Sequence, residues 1–386
     1  MDSSLTPADR ALCEAARRLA LEHFAKEDQS ASGFDHAGWR QLAEFGLFRV
    51  DLLDKSTGLP RAARLLEALG SGGADRGLLF AAGAHLLGCL WPLVQLGSPA
   101  QHNEWIPGLA SGDQIGALAI TEPEAGSAIS ALQTSATAAG DEVVLQGQKT
   151  LVTNATVAQV LLLIALEFPR RGSLGLSAFL VPTNTPGLSI RPIATVGLNG
   201  APAGEIDLQA VRLPSTARLG PAGGGLGVLL AAMQAERTAI LAGFLGAAEF
   251  DLARCHHYLK TRRQGGDQSS LADHQAVQHK LAEIRCRLET ARAMLYRGVW
   301  EVVHGHDRIA WPAMVKKTVS EAVAQSAHDI QCLYAGAGWQ NRNRSATAVQ
   351  DTLAILSASG TTQVQLNTIA SQLAKTLVPL APPKSS

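Results

Sequence analysis

The 386-residue sequence predicts a mainly α-helical protein with a β insert, and three observations carry that prediction. Apolar residues recur at helical spacing through the first 115 positions, as at Leu12, Ala16, Leu19 and Ala20. From 116 to 219 short β-rich runs alternate with turn residues, and beyond Leu226 long amphipathic helical segments return. The chain therefore divides into an N-terminal α-helical domain over 1–115, a middle antiparallel β domain over 116–220 and a C-terminal α-helical bundle domain over 221–386.

The first helix starts at Pro7, which suits the first helical position, and Thr6 before it can accept an N–H that the first turn leaves free. A further helix is expected over 60–69. The apolar run over 77–97 approaches membrane-spanning length, but His85, Pro92, Gln95 and its glycines mark it as a buried helix. Residues 103–109 then lead through Ser111-Gly112-Asp113 to the change of character. Strands are expected at 143–145, 160–166, 178–181 and 188–191, divided by turns at Gly140-Asp141, Gly147-Gln148, 182–187 and 200–204. That rhythm suits a small antiparallel barrel or sandwich. Residues 220–225 read as a hinge, helices are expected over 227–260, 274–301 and 312–334, and the tail 381–386 as frayed.

Composition removes several classes of function. With 33 Lys+Arg against 33 Asp+Glu and only 5% aromatic residues, there is no basic footprint for nucleic acid or an anionic membrane. At 46% hydrophobic and 17% charged, the chain is not a disordered one. Cys13, Cys89, Cys255, Cys286 and Cys332 are odd in number and widely spaced, so neither a disulfide framework nor a thiolate metal site is indicated. Met1-Asp2-Ser3-Ser4 lacks the basic and apolar regions of a signal peptide, and a reduced, cytoplasmic location is expected. His304-Gly305-His306-Asp307 has ligand residue types but no distant partner. Gly223-Gly224-Gly225-Leu226-Gly227 lacks the dinucleotide-binding spacing, and Leu226, Leu229, Leu230 and Met233 read as core or subunit interface.

Six segments carry a family resemblance. Thr121-Glu122-Pro123-Glu124-Ala125-Gly126-Ser127 resembles the T-E-P-x-A-G-S signature of the acyl-CoA dehydrogenase family, and Gly147-Gln148-Lys149-Thr150-Leu151-Val152-Thr153-Asn154 follows at that family's distance. Residues 96–113 resemble its helix leading into the β domain, and 262–266 with His274-Gln275-Ala276 its flavin-binding helix pair. Ala335-Gly336-Ala337-Gly338-Trp339 and, further on, Ser359-Gly360-Thr361-Thr362-Gln363-Val364-Gln365 resemble its glycine-aromatic and E-G-T-x-x-I-Q segments. Together these cover nearly the whole chain in the family's order.

The resemblance implies a C-terminal four-helix domain, with FAD between it and the β domain and across a subunit interface, in a homodimer or homotetramer. It implies contacts to FAD from Thr121 and Thr153 at the ring system, and from Ser127 at the cofactor or the thioester. Arg262 would reach the diphosphate of a neighbouring subunit's FAD, Gln331 the adenosine half and Gly336 the cofactor, and Thr361 and Gln363 belong to the last motif. Gln331 stands one place before the family spacing, which falls on Cys332. Read from the residues alone, the threonines and serine are equally turn residues bonded to their own backbone, and Arg262 a solvated arginine in Lys260-Thr261-Arg262-Arg263.

The family chemistry implied is removal of an α-proton from an acyl thioester by a carboxylate, with the β-hydrogen leaving as hydride to flavin. The position of the usual glutamate is Ser359, and a serine hydroxyl is no base without an activator. Ala235-Glu236-Arg237-Thr238-Ala239-Ile240-Leu241-Ala242-Gly243 resembles the stretch that supplies the base in isovaleryl-CoA dehydrogenases. Glu236 falls on that base position, Arg237 on an arginine that contacts the pantetheine arm, and Ser359 on the substrate side. Read alone, Glu236 and Arg237 are an exposed ion pair early on a helix. Other departures are Leu118 and Leu151 in place of flavin-flanking aromatics, Gly265 in place of another aromatic, Gln234 in place of Asp, and Asn199-Gly200-Ala201-Pro202 in place of an arginine-containing turn.

The expected function is FAD-dependent introduction of an α,β double bond into an acyl thioester, on CoA or on an acyl carrier protein in a biosynthetic pathway. An electron-transfer flavoprotein or O2 would accept the electrons. Two alternatives stay open: a flavin-dependent monooxygenase of the same fold, and a catalytically retired thioester-binding subunit.

Overall fold

Helix α1 (Pro7–His23) begins where the Thr6 hydroxyl accepts the Asp9 N–H at 3.1 Å, as the capping signal requires. The computed structural model describes residues 6–25, 33–54, 56–263, 269–305, 308–340 and 344–376. The N-terminal layer continues through α2 (His36–Phe45) and α3 (Gly58–Ser71), the latter longer at both ends than the expected 60–69. The apolar run is one helix in three parts: α4 (Arg76–Gly83), a π-helical stretch (Ala84–Leu90) and α5 (Trp91–Leu96). Helix α6 (Pro99–Ser111) follows from a Ser98–Gln101 capping box.

The β domain comprises β1 (Gly116–Ala119), β2 (Ser135–Ala139), β3 (Glu142–Thr153), β4 (Val160–Leu166), β5 (Leu176–Pro182), β6 (Leu188–Ile193), β7 (Ala203–Pro214) and β8 (Arg218–Leu219). Its strand order is β6-β7-β3-β2-β4-β5-β8, with β1 beside β4. Most pairs are antiparallel, but β1 runs parallel to β4 from Gly116↔Val160 onward. Gly147-Gln148, expected as a turn, lies inside β3 as a bulge: the register shifts between Leu145 and Gly147, and Gly147 has φ 145°. A Cβ there would stand 2.7 Å from the Thr134 Cα, so glycine lets β2 and β3 close. Strand β7 was hidden in the sequence because Ala210, at φ 51°, interrupts its alternation. Ile206 and Leu208 face inward before that point, and Val211 and Leu213 after it.

The C-terminal domain opens on a second three-part helix: α7 (Gly225–Ala235), a π-helical stretch (Glu236–Ile240) and α8 (Leu241–Thr261). It continues with α9 (Gln275–His304), α10 (Ala310–Tyr334), α11 (Arg344–Ser357) and α12 (Thr362–Thr376), α10 packing against the other long helices. The stretch that reads as a hinge is clamped to β5, because the Gly223 N–H donates to Ser177 Oγ at 2.8 Å. Helices 76–96 and 225–261 are long and apolar enough to cross a membrane, yet their apolar windows are 94% and 78% buried inside the protein. Gly265, His306, Asp307 and the tail 381–386 lie outside the described residues.

Buried polar groups tie the layers together. Arg76 on α4 pairs with Asp251 on α8, and Asp351 on α11 accepts the Leu198 N–H of the β6–β7 connection at 2.6 Å. His85, in the first π-helical stretch, accepts the Gly116 N–H on Nδ1 at 2.9 Å and therefore donates from Nε2 to the Leu109 carbonyl at 3.0 Å. That bonding fixes a neutral imidazole at the junction of α6 and β1.

Burial pushes the His85 pKa down to about 4 from 6.5. As pH falls, the unfolded chain takes up this proton first, so the stability that His85 contributes is whole above pH 6.5 and is lost on the way to pH 4. The loss amounts to about 3 kcal/mol. Urea unfolding between pH 4 and 7 is expected to show this component in the wild type and to lack it in His85→Leu, whose stability is lower at neutral pH.

Candidate active site

The two π-helical stretches face each other, and Glu236 enters from the second of them. An extra residue in a helical turn rotates the side chains that follow, which is why such stretches recur at functional sites. The Glu236 side chain points inward and the residue is only 7% exposed. Opposite it, Gly88 supplies the room: a Cβ there would lie 2.6 Å from Glu236 Oε1 and 3.4 Å from the Leu118 Cβ. Burial raises the Glu236 pKa to about 7, against the opposing pull of the Ser359 hydroxyl and the Arg237 charge. The exposed Glu–Arg pair that local sequence suggests is therefore not what forms.

Ser359 and Arg237 meet at this carboxylate. Ser359 Oγ donates to Glu236 Oε2 at 2.8 Å, and Arg237 Nε donates to the Ser359 carbonyl at 2.9 Å. The turn has φ 54° at Ser359 and 97° at Gly360, both in the left-handed region. Gln365, fully buried on α12, donates from Nε2 to the carbonyls of Ser359 at 3.2 Å and Gly360 at 2.9 Å. Lys316 on α10 donates to the Ile355 carbonyl at 2.6 Å and so holds the last turn of α11; burial and the nearby Arg237 lower its pKa to about 8. Thr361 Oγ1 accepts the Val364 N–H at 3.3 Å and caps α12, on whose first turn Gln363 is exposed.

On the β-domain side, Leu118 and Ile120 face the helical core while Ala117 and Ala119 fill the sheet interior. The loop that follows β1 is pinned by a buried ion pair. Lys149 Nζ lies 2.7 Å from Glu122 Oε1 and donates to the Ile120 carbonyl at 2.8 Å, while Glu122 also accepts the Gln133 and Thr134 N–H groups. The Thr150 N–H donates to the Thr121 carbonyl at 2.8 Å, which sets this loop against β3.

The side chains at this edge suit a flavin. The hydroxyls of half-buried Thr121 and Thr153 and exposed Ser127 bond to no protein group among the described residues. Leu151, an apolar side chain 62% exposed with φ 54°, stands near the end of β3. Free hydroxyls beside uncovered apolar surface are what a flat ring with polar edges requires. Arg262 is exposed at the end of α8, roughly 40 Å along the helix from Glu236. Gln331 is half-buried near the end of α10, and the Gly336 backbone after it faces open space.

The structure thus joins Glu236, Arg237 and Ser359 in one cluster and sets Thr121, Ser127 and Thr153 along one edge of the β domain. Arg262, Gln331 and Gly336 belong to the far end of the bundle. Sequence reasoning missed Gly88, Lys316 and Gln365 as parts of the site. Gly88 left a signal, since a lone glycine inside an apolar helix has a packing reason more often than not.

A helical layer, a β domain and a helical bundle around a buried carboxylate, with free hydroxyls beside exposed apolar surface, make up the arrangement of a flavin-dependent oxidoreductase acting on CH–CH bonds. The acyl-CoA dehydrogenase N-terminal, middle and C-terminal domain families match residues 6–113, 117–211 and 223–374. The chain belongs to the acyl-CoA dehydrogenase family, whose members use FAD to introduce a double bond into an acyl thioester. It is 33% identical over 359 residues to the L-prolyl-[peptidyl-carrier protein] dehydrogenase of Pseudomonas fluorescens, covering 90% of this chain and 94% of that one. The solved structure of PigA with FAD and proline matches at 30% identity and a TM-score of 0.91, covering 97% and 99% of the two chains. The prolyl acyl carrier protein oxidase AnaB matches at 29% identity and a TM-score of 0.90, covering 96% and 100%.

Lys149→Met leaves the Glu122 carboxylate buried without its counter-charge, which costs about 3–5 kcal/mol. Chemical denaturation is expected to register that loss. The flavin content of the purified protein is expected to fall with it, because the loop carrying Thr121 and Ser127 loses its anchor.

Proposed function

We propose that this enzyme oxidises a small acyl group of the prolyl type held as a thioester on a carrier protein, with Glu236 as the general base. The observation that carries the base assignment is the buried Glu236 carboxylate between Gly88 and Ser359. The carrier-bound substrate is supported by the likeness to the Pseudomonas fluorescens dehydrogenase and to AnaB. In this reading the enzyme works in the cytoplasm as a homodimer or homotetramer and passes its electrons to an electron-transfer flavoprotein or to O2.

Bound FAD supplies the hydride acceptor. Thr121, Ser127 and Thr153 would hold it from the β domain and Thr361 and Gln363 from the start of α12, while Arg262 would reach the diphosphate of a second copy's cofactor, Gln331 the adenosine half, and Gly336 would lie against the cofactor. Glu236 takes the α-proton of the thioester. Its pKa of about 7 suits that task, because a base near the working pH combines a large ionised fraction with real proton affinity. Arg237 keeps the Ser359 turn in place with Nε, and its remaining N–H groups would serve the thioester arm. The apolar wall of Leu118 keeps water from the carboxylate.

Anaerobic mixing with a prolyl-carrier thioester, prolyl-CoA and butyryl-CoA tests this reading. Flavin bleaching is expected to be fastest with the carrier thioester and to accelerate as pH rises through about 7, where Glu236 ionises. Glu236→Gln is expected to slow bleaching by roughly 10²–10⁴-fold. Unchanged bleaching in that variant contradicts the base assignment, and equal rates with butyryl-CoA contradict the substrate.

A further inference from the structure

We propose that Ser359 is a positioning residue for Glu236, tying down Oε2 so that Oε1 is the oxygen that receives the substrate proton. The inference rests on the reading of Glu236 as the base. Its foundation is the asymmetry of the two carboxylate oxygens: Oε2 accepts the Ser359 hydroxyl at 2.8 Å, and Oε1 accepts from no protein donor among the described residues. Oε1 instead faces the gap that Gly88 leaves, beside Leu118.

The turn that presents the hydroxyl is held from several directions. Ser359 occupies a left-handed conformation that a residue with a Cβ adopts only where its surroundings enforce it. Its carbonyl is bonded by both Arg237 Nε and Gln365 Nε2, the next carbonyl by Gln365 again, and the preceding helix end by Lys316. Glycine suits the next position, whose φ of 97° side-chain-bearing residues rarely adopt. A serine brought to one carboxylate oxygen by so many restraints compensates for a base that arrives from a helix rather than from this turn. A hydrogen bond to the ionised carboxylate also favours its charged form, so the hydroxyl keeps the buried base usable near neutral pH.

The other charged groups around Glu236 do not duplicate this role. Arg237, on the same element, is the charge that acts on Glu236, and it in turn acts on Lys316 from α10. Helix α7 has no ionisable side chain. His85 in the facing π-helical stretch is bonded to Gly116 and Leu109, and Cys89 beside it stays a thiol because burial pushes its pKa up to about 12. Glu67 of α3 and Glu249 of α8 both pair with Arg292 of α9, and Arg76 of α4 pairs with Asp251.

The test uses the FAD-loaded enzyme with its thioester substrate, following anaerobic flavin reduction across pH 5.5–9, a window of about three and a half units around the base. Two hydroxyl deletions are compared: Ser359→Ala keeps the strain of the turn, and Ser359→Gly relieves it. Both are expected to move the acid limb of the rate upward by about one unit, slowing reduction roughly fivefold at pH 7 and approaching tenfold toward pH 5.5, with substrate affinity and the flavin spectrum little changed. Wild-type rate and limb in both variants overturn the proposal, as does a uniform loss of rate with no movement of the limb. Glu236→Gln run alongside separates the two readings. If it is inactive while both serine variants behave as wild type, only the positioning role fails; if it reduces flavin normally, the base assignment fails and takes this role with it.

Discussion

The account depends on one constraint: a carboxylate buried among apolar side chains must be held by specific partners or lose its charge. Glu236 is in that position. Its environment pushes it toward the neutral acid, while Ser359 and Arg237 pull it back, leaving a group balanced near pH 7. Everything near the site can be read as arranging that balance. Two helices break into π-helical turns at the place where they face each other, one to aim the carboxylate and the other to offer a glycine. The turn after α11 takes an unfavourable backbone conformation to deliver a hydroxyl.

The surrounding fold keeps the pieces in register. The Glu236 carboxylate comes from the C-terminal domain, Gly88 from the N-terminal one and Leu118 from the β domain, so the cluster exists only where the three meet. Their relative placement is fixed by buried polar bonds that non-directional apolar packing could not supply. The Arg76–Asp251 pair, the Asp351 bond to the Leu198 N–H and the neutral His85 at the α6–β1 junction each join two layers at a defined point. The Lys149–Glu122 pair does the same within the β domain, fixing the loop whose hydroxyls are free for the cofactor.

Much of this was legible in the sequence. The helix–sheet–helix order, the long apolar helices and several strand cores follow from local periodicity and capping, as at Thr6. The features that escaped were those whose meaning is non-local. Gly147 looks like a turn until β2 lies against it, and Ala210 hides β7 because a bulge reverses the alternation midway. Glu236 next to Arg237 looks like a solvated pair, since nothing local reveals that Gly88 and Ser359, far away in the chain, close over the carboxylate. The family resemblance supplied the position of Glu236, and the geometry supplied its partners. Gln365 and Lys316 were not singled out because their work is to hold a turn, which leaves no pattern of its own.

A crystal structure with FAD and an unreactive thioester analogue tests the central claim most directly. The account predicts Glu236 Oε1 within about 3–3.5 Å of the analogue's α-carbon on the face opposite the flavin, with Oε2 still bonded to Ser359. A Glu236 turned away from the bound thioester, or another carboxylate at its α-carbon, would contradict it.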